Sequence, residues 1–170
     1  SFFPNWLIYI NENFKKLVSE MSFGIFNVFR DRQITSKLLE PTGDIWVIKS
    51  KNIPRSGDKI IHIEDDVFIK KSALSKLGVN KYLERDDVFL SPNMTYYPRV
   101  VVKPKNCVVN GSVAIFELKP DMSITEADLL FFASPEFEEF YRIARNHSTR
   151  SLNIDNIAIF YFGKRNHCVQ

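Results

Sequence analysis

The chain has 170 residues, of which 45% are hydrophobic and 25% are charged, so its composition is that of a single globular domain. Enough apolar side chains are present to form a core, which argues against intrinsic disorder. The two cysteines, Cys107 and Cys168, form no CxxC motif or Cys/His cluster, so we expect neither a zinc site nor a disulfide framework. No apolar run approaches the ~20 residues that cross a bilayer, so we expect a cytoplasmic protein without a membrane partner.

The net charge is only +3, and its distribution is more informative than its total. Residues 121–140 contain six acids, whereas residues 141–170 contain five Lys or Arg, two His and one acid, Asp155. A change of sign this sharp indicates that a helix or turn near residue 141 faces an anion.

The predicted elements of the first half are short. Residues 6–20 place apolar side chains at helical spacing, and Pro4 and Asn5 supply a start signal, so we expect an N-terminal helix. Alternating apolar residues between chain breakers then predict strands. The expected strands cover residues 23–29, 45–49, 59–63 and 67–70, and a small helix near residues 72–77 follows, which Gly78 ends.

The second half begins with β-rich segments at residues 87–90 and 99–102. Asn110-Gly111 is the strongest hairpin signal in the chain and predicts that residues 107–109 pair with residues 112–118. Two helices and a closing strand should follow. They are residues 125–132, capped by Thr125, residues 135–145, capped by Ser134 with Pro135 in the first turn, and the strand 157–162.

This order of elements predicts an α+β fold without regular βαβ alternation. We expect a twisted, mostly antiparallel sheet of short strands with an N-terminal helix and a C-terminal helix pair, formed by one domain over residues 1–170. The chain begins at Ser1 without an initiator methionine and enters a helix-like pattern at once, which is typical of a fragment of a longer protein.

Residues 30–37 form a basic and polar segment directly after a predicted strand. An Arg side chain can donate to both acceptors of guanine, and Gln can form two hydrogen bonds with adenine. Ser, Thr and Lys side chains suit phosphate oxygens. The alternative is a solvated loop with an ordinary mixture of charges. The predicted DNA contacts of this first segment are Arg30, Arg32, Gln33, Thr35, Ser36 and Lys37.

A second segment, residues 142–153, places three Arg with Asn, His, Ser and Thr just after a predicted helix. Cations that offset the helix dipole would explain Arg142 and Arg145, but not the polar run that follows them. Arg and hydroxyl side chains in such a run suit phosphate binding and base reading. The predicted contacts are Arg145, Asn146, His147, Thr149 and Arg150.

A third segment, residues 93–99, offers Tyr96 and Tyr97 beside Arg99, which suits stacking on a base or packing against a sugar. The alternative is a β-turn with core tyrosines. Lysines outside the three segments are expected to contact phosphates, which set register but not sequence. These phosphate contacts are Lys49, Lys51 and Lys105.

The enzymatic alternative depends on Glu117-Leu118-Lys119 at the end of an apolar strand. Nucleases of the PD-(D/E)xK type place Glu-x-Lys at such a strand end, and an upstream Asp completes a metal site. Asp44, Asp86 or Asp87 could supply that carboxylate. Any half-buried strand can end in alternating charges, however, and Pro120 and an acidic helix follow, which is an unusual neighbour for a phosphate.

Several catalytic motifs do not occur in the sequence. There is no Asn/Asp-Pro-Pro-aromatic motif and no Gly-rich loop for a methyl donor, so methyl transfer is not expected within this chain. A P-loop, HExxH and GxSxG are also absent.

Three stretches together resemble a known family of domains. They are FNVFRDRQITSKLLEPTGDIWVIKSKNI, DDVFLSPNMTYYPRVVVKPKNCVVNGSVAIFEL and LLFFASPEFEEFYRIARNHSTRSLNIDNIAIFYFG, of which the last is the most specific. The chain resembles the target-recognition domains of type II, especially type IIS-like, adenine-specific DNA methyltransferases of bacterial restriction–modification systems. More distantly, it resembles the recognition domains of type I specificity subunits.

The resemblance implies sequence-specific binding of double-stranded DNA beside a covalently linked methyltransferase domain that flips the target adenine. It implies that S-adenosylmethionine binds to that catalytic domain, and it implies no catalysis and no cofactor or metal in this chain. The parent protein would be an adenine methyltransferase or a combined restriction–modification enzyme. A protein-interaction domain is a further alternative, in which the aromatic residues would form an exposed apolar patch.

Overall fold

In the computed structural model, which describes residues 12–93, 95–145, 154–155 and 158–166, short strands and helices follow one another without a repeating βαβ unit. The α-helices are α1 (Glu12–Glu20), α2 (Lys71–Leu74), α3 (Glu126–Phe132) and α4 (Pro135–Ala144). The strands are β1 (Met21–Ser22), β2 (Phe26–Arg30), β3 (Leu39–Glu40), β4 (Ile45–Ile48), β5 (Val67–Ile69), β6 (Phe89–Pro92), β7 (Val101–Val102), β8 (Cys107–Val109), β9 (Val113–Leu118) and β10 (Lys164–Arg165). Turns of 3-10 helix are Ser36–Leu38, Ser50–Asn52, Gly78–Tyr82 and Ala158–Tyr161.

Within the described residues, the strands form two four-stranded sheets and one two-stranded ribbon. The central sheet has the antiparallel order β2-β9-β6-β7. The second sheet has the order β3-β5-β4-β8, in which β4 and β8 are parallel. The ribbon pairs β1 with β10. The expected α+β class with mostly antiparallel strands is therefore confirmed, but the strands are divided among several sheets where we expected one.

The central sheet is buried on both faces, and β9 shows why. Ala114 and Phe116 belong to the core cluster beneath the helices, whereas Val113 and Ile115 belong to the cluster shared with the second sheet. A strand with both faces buried has a continuous apolar run instead of an alternating pattern. The described part of the chain thus has three layers, with α1, α3 and α4 on one side of the central sheet and the second sheet on the other, where α2 also packs through Leu74.

The helical layer contains the phenylalanine-rich core. The ring of Phe162 lies 5.1 Å from that of Phe116 and 5.4 Å from that of Phe137, measured between centroids. The two C-terminal helices begin as predicted. Thr125 and Asp128 form a reciprocal capping box at α3, and the Ser134 hydroxyl accepts the N–H of Phe137 at α4.

The predicted hairpin at Asn110-Gly111 is wrong. β8 pairs with β4 of the second sheet, whereas β9 pairs with β2 and β6 of the central sheet. A two-residue hairpin turn requires positive φ, and neither Asn110 nor Gly111 has it. The Asn110 side chain instead accepts the N–H and the hydroxyl of Ser112, which turns the chain from one sheet to the other. We call residues 110–112 the corner.

Two other predicted strands are also wrong. Residues 59–63 form a loop, because Ile61 bonds to the backbone and side chain of Asn52 and so does not join a ladder. Of the expected closing strand at 157–162, residues 158–161 form a 3-10 turn, because Asp155 accepts the N–H groups of Ala158 and Ile159. The strand that does form near the end of the described chain is β10, which follows this turn and pairs with β1.

The remaining elements differ from prediction mainly in their bounds. The N-terminal helix is confirmed over 12–20, and its predicted first residues, 6–11, lie outside the described part of the chain. The small helix α2 ends at Leu74, and Gly78 begins a 3-10 turn where it was expected to end the helix.

Candidate nucleic-acid interface

Segments that follow three different strands meet at the corner. The N–H of Ser50, just after β4, donates to the Ser112 hydroxyl over 3.0 Å. The N–H of Asn93, just after β6, donates to the Ser112 carbonyl over 2.8 Å. Gly111 lies against the residue that follows β2, since a Cβ added to it would be 3.1 Å from the carbonyl oxygen of Asp31.

The corner therefore brings together segments that are far apart in the sequence. The first predicted segment begins beside Asp31, the lysines Lys49 and Lys51 flank Ser50, and the third predicted segment begins at Asn93. Proximity of this kind is a tertiary feature, because no local pattern shows that these strands end at one place.

In the first segment, a buried carboxylate holds the loop. Asp31 is 4% exposed, and its Oδ2 accepts the N–H groups of Gln33 (3.1 Å) and Ile34 (2.7 Å). The Gln33 side chain accepts the N–H of Gly78 over 2.8 Å, so it also contributes to loop packing. Arg30 is half-buried within β2, opposite Ala114. The exposed predicted residues are Arg32, Gln33, Thr35, Ser36 and Lys37.

The two lysines after β4 differ. Lys51 is exposed, whereas the side chain of Lys49 is only 19% exposed and its Nζ donates to the carbonyl of Asp65 over 2.7 Å. The same ammonium lies 3.6 Å from the Asp65 carboxylate. Lys51 is therefore the better placed of the two to meet a phosphate.

In the third segment, Tyr96 and Tyr97 are exposed, so the alternative of core tyrosines is wrong. Arg99 is half-buried, and its guanidinium donates to the carbonyls of Ile53 (2.8 and 3.0 Å) and Tyr97 (2.7 Å). Burial, and secondarily the nearby Arg55, lower the pKa of Arg99. Arg99 thus connects the loop at Ile53 to the loop at Tyr97 through hydrogen bonds. Its predicted contact with DNA stays a prediction.

Sequence reasoning missed Arg55. Its guanidinium carbon lies 3.5 Å from the centroid of the Tyr97 ring, and its side chain is 67% exposed. A cation stacked on an exposed aromatic ring forms a planar surface suited to a base or sugar. The only local signal was a cation after Pro54, which is too common in loops to single it out.

The second predicted segment lies mostly outside the described residues, which include none of Asn146, His147, Thr149 and Arg150. Arg145 at the end of α4 is described, and its guanidinium lies 3.6 Å from the Asp155 carboxylate. Beyond the segment, the N–H of Ile154 donates to the side chain of Asn93 over 2.8 Å. Ile154, the residue that follows the second segment, therefore lies beside Asn93, the first residue of the third segment.

Lys105 lies elsewhere, in an open groove of about 790 Å³ along β7. This groove runs between residues 57–60, β7 and the start of α3. Its lining includes the exposed apolar side chains Val102 and Leu130. The protein-interaction alternative expects aromatic residues in an exposed apolar patch, but the exposed apolar side chains of this groove are aliphatic, and the exposed tyrosines lie in the third segment.

In the Glu117-Leu118-Lys119 motif, the carboxylate of Glu117 is paired with an arginine side chain. Arg85 donates to Glu117 over 3.3 Å and forms two hydrogen bonds of 2.9 Å with Asp87. These hydrogen bonds, to Asp87 first, raise the pKa of Arg85, so a guanidinium stands between the carboxylates that a nuclease would use for metal. Among the described residues, no group of three or more His, Cys, Asp and Glu side chains is arranged to hold a metal ion. This arrangement does not favour the nuclease alternative.

Comparison with known proteins leaves the family unassigned. No protein-family model matches the chain, and a search of curated proteins gives no significant match. Within the described part of the chain, no helix is both long and apolar enough to cross a membrane.

Proposed function

We propose that the chain is a DNA target-recognition domain that binds duplex DNA sequence-specifically through the loops around the corner. In this proposal it acts within a longer bacterial protein, an adenine-specific methyltransferase or a combined restriction–modification enzyme. The similarity to type II and type I recognition domains belongs to this proposal and comes from the sequence resemblance alone.

The observation that supports the proposal most directly is the meeting of the first and third predicted segments with residues 49–51 at the corner. The backbones of these two segments are held by buried or half-buried groups such as Asp31, Asn93 and Ser112, while their tips are exposed. Binding residues presented by loops on a rigid scaffold are the usual arrangement in recognition proteins.

The exposed side chains divide by chemistry into two groups. Arg32 has the paired donors that can distinguish guanine in the major groove. Gln33 can offer its side-chain N–H groups to a base edge, while its Oε1 already accepts the N–H of Gly78. Lys37 and Lys51 are point charges suited to phosphates, and Arg55 with Tyr97 forms a stacking surface. Arg99, Arg145 and Lys49 are engaged within the protein, so we assign them to support the loops.

The test is a binding selection with the 170-residue chain on a pool of random duplexes, followed by mobility shifts over a series of salt concentrations. We expect an enriched sequence and an affinity that falls steeply with salt. Arg32→Ala should relax the preference at one base position at a cost of about 1–3 kcal/mol, whereas Lys51→Ala should weaken all sequences alike.

Lys15→Ala is the matched control for loss of charge, because Lys15 is exposed on α1 in the helical layer. Binding without any enriched sequence would contradict recognition, and no binding at low salt would favour the protein-interaction alternative. Magnesium-dependent cleavage that Glu117→Ala abolishes would favour the nuclease.

A further inference from the structure

The loop at residues 59–63 carries an exposed histidine, His62, whose ring is held by two contacts. The side chain of His62 is 71% exposed, yet its ring stacks on Trp46 with centroids 4.0 Å apart and an interplanar angle of 26°. Its Nδ1 is 2.6 Å from Oδ2 of Asp66.

The carboxylate is itself fixed. The side chain of Asp66 is 10% exposed, and its Oδ1 accepts the Asn52 side-chain amide (2.7 Å) and the N–H of Ile63 (3.2 Å). Asn52 is fully buried and also accepts the N–H of Lys49 over 2.9 Å. Because Ser50 bonds to the corner, this chain of bonds connects His62 to the predicted DNA-binding surface.

The geometry determines which atom of His62 can meet a ligand. Asp66 uses Nδ1, so Nε2 is the ring nitrogen left for an outside partner. One donor cannot read a base edge through two bonds, but it can meet a phosphate oxygen. When the ring carries a proton on each nitrogen, Nε2 is a donor as well.

The charged residues near His62 in the sequence of its own loop are Lys59, Glu64, Asp65 and Asp66, and Lys49 and Lys51 follow strand β4. Two of the three acids face basic side chains of the protein, because Asp65 lies 3.6 Å from Lys49 and Asp66 contacts His62 itself. Strand β4 contributes only the uncharged Trp46 to the stack.

We propose that His62 is a phosphate-binding residue of the DNA-binding surface, in which Asp66 and Trp46 orient the ring so that Nε2 donates to a backbone phosphate. The proposal assumes the DNA-binding function proposed above. A phosphate contact does not depend on sequence, so any duplex can test it.

The test compares the 170-residue chain with His62→Phe in mobility shifts on one fixed duplex over a series of salt concentrations. Phe keeps an aromatic ring for the stack on Trp46 but removes both nitrogens. Near pH 6, we expect His62→Phe to reduce the slope of log K against log salt by about 0.9, the loss of one phosphate contact. Near pH 8.5, the two proteins should bind alike, because histidines change charge between about pH 5 and 8.

Asp66→Asn separates positioning from folding, since it keeps an oxygen acceptor but removes the charge. Asp66→Asn should therefore reduce the difference between the DNA affinities measured near pH 6 and near pH 8.5. A merely structural role would lower the affinity equally at both pH values. Equal salt slopes for the wild type and His62→Phe near pH 6 would overturn this inference while leaving DNA binding intact. If the wild type binds no duplex at either pH, the proposed function itself fails and this inference fails with it.

Discussion

The backbone N–H of Asn93 donates to the carbonyl of Ser112 over 2.8 Å, and the Asn93 side chain accepts the N–H of Ile154. One residue thus holds the start of the third predicted segment against the corner and against the chain that leaves the second. These bonds give the exposed tyrosines a fixed base, although the loop itself has little regular structure.

The Ser112 hydroxyl should contribute to stability through this corner. It accepts the Ser50 N–H and donates to Asn110 over 2.6 Å, so Ser112→Ala removes both bonds from a half-buried site. We expect the free energy of unfolding to fall by about 1–2 kcal/mol, measured by urea denaturation. Ser75→Ala is the control, since its exposed hydroxyl donates to the carbonyl of Ser72 within the same turn. A similar loss in both variants would contradict the role of the corner.

Asp31 should be more important to the first loop than its exposed neighbours. Asp31→Ala leaves two N–H groups without an acceptor, so we expect stability to fall by roughly 1–3 kcal/mol. Asp31→Asn keeps one oxygen and should lose less. Asp44→Ala, at an exposed position, should change stability by less than about 0.5 kcal/mol. If Asp31→Ala is as stable as Asp44→Ala, the carboxylate does not hold this loop.

Gly57 is required by the backbone. Its φ is +67°, and a Cβ there would lie 2.6 Å from the Cβ of Ala133 and 2.9 Å from that of Arg99. We expect Gly57→Ala to destabilise the chain by roughly 2–4 kcal/mol through strain and overpacking, measured by thermal unfolding. Gly78→Ala is the matched control, because its φ is not positive and only the Gln33 side chain is near. An unchanged melting temperature in Gly57→Ala would contradict this packing.

Asp66 should make stability depend on pH. Burial acts to raise the pKa of Asp66, but hydrogen bonds from Asn52, His62 and Ile63 outweigh it and lower the pKa below its ordinary value of 3.8. The unfolded chain then binds the proton more readily, so the stabilisation is complete above that ordinary value and is lost as the pH falls through the folded pKa. Urea midpoints measured below about pH 4 should therefore fall less steeply for Asp66→Asn than for the wild type. If the urea midpoints of the two proteins fall equally with pH, Asp66 is not responsible for the loss of stability in acid.

The parts of the fold that sequence predicted well are those determined by neighbours along the chain. Thr125 and Ser134 begin helices because their hydroxyls accept N–H groups three residues later. The apolar runs at β4 and β9 also became strands, since buried strands require apolar residues wherever they pair. The chemistry of the exposed tips, such as Arg32 and Lys37, was likewise readable from residue type.

Strand partners and the position of the candidate surface were decided only by the tertiary structure. Asn110-Gly111 suits a hairpin, yet the parallel pairing of β8 with β4 takes the first strand into another sheet, and the local turn signal is overridden. In the same way, Arg55 meets Tyr97, and His62 meets Trp46, across distances in sequence that no local pattern spans. Sequence alone thus determined the local elements and the side chains available for binding. Which of them share one surface depends on long-range packing, because burial energy favours a whole arrangement of layers over the preference of any single turn.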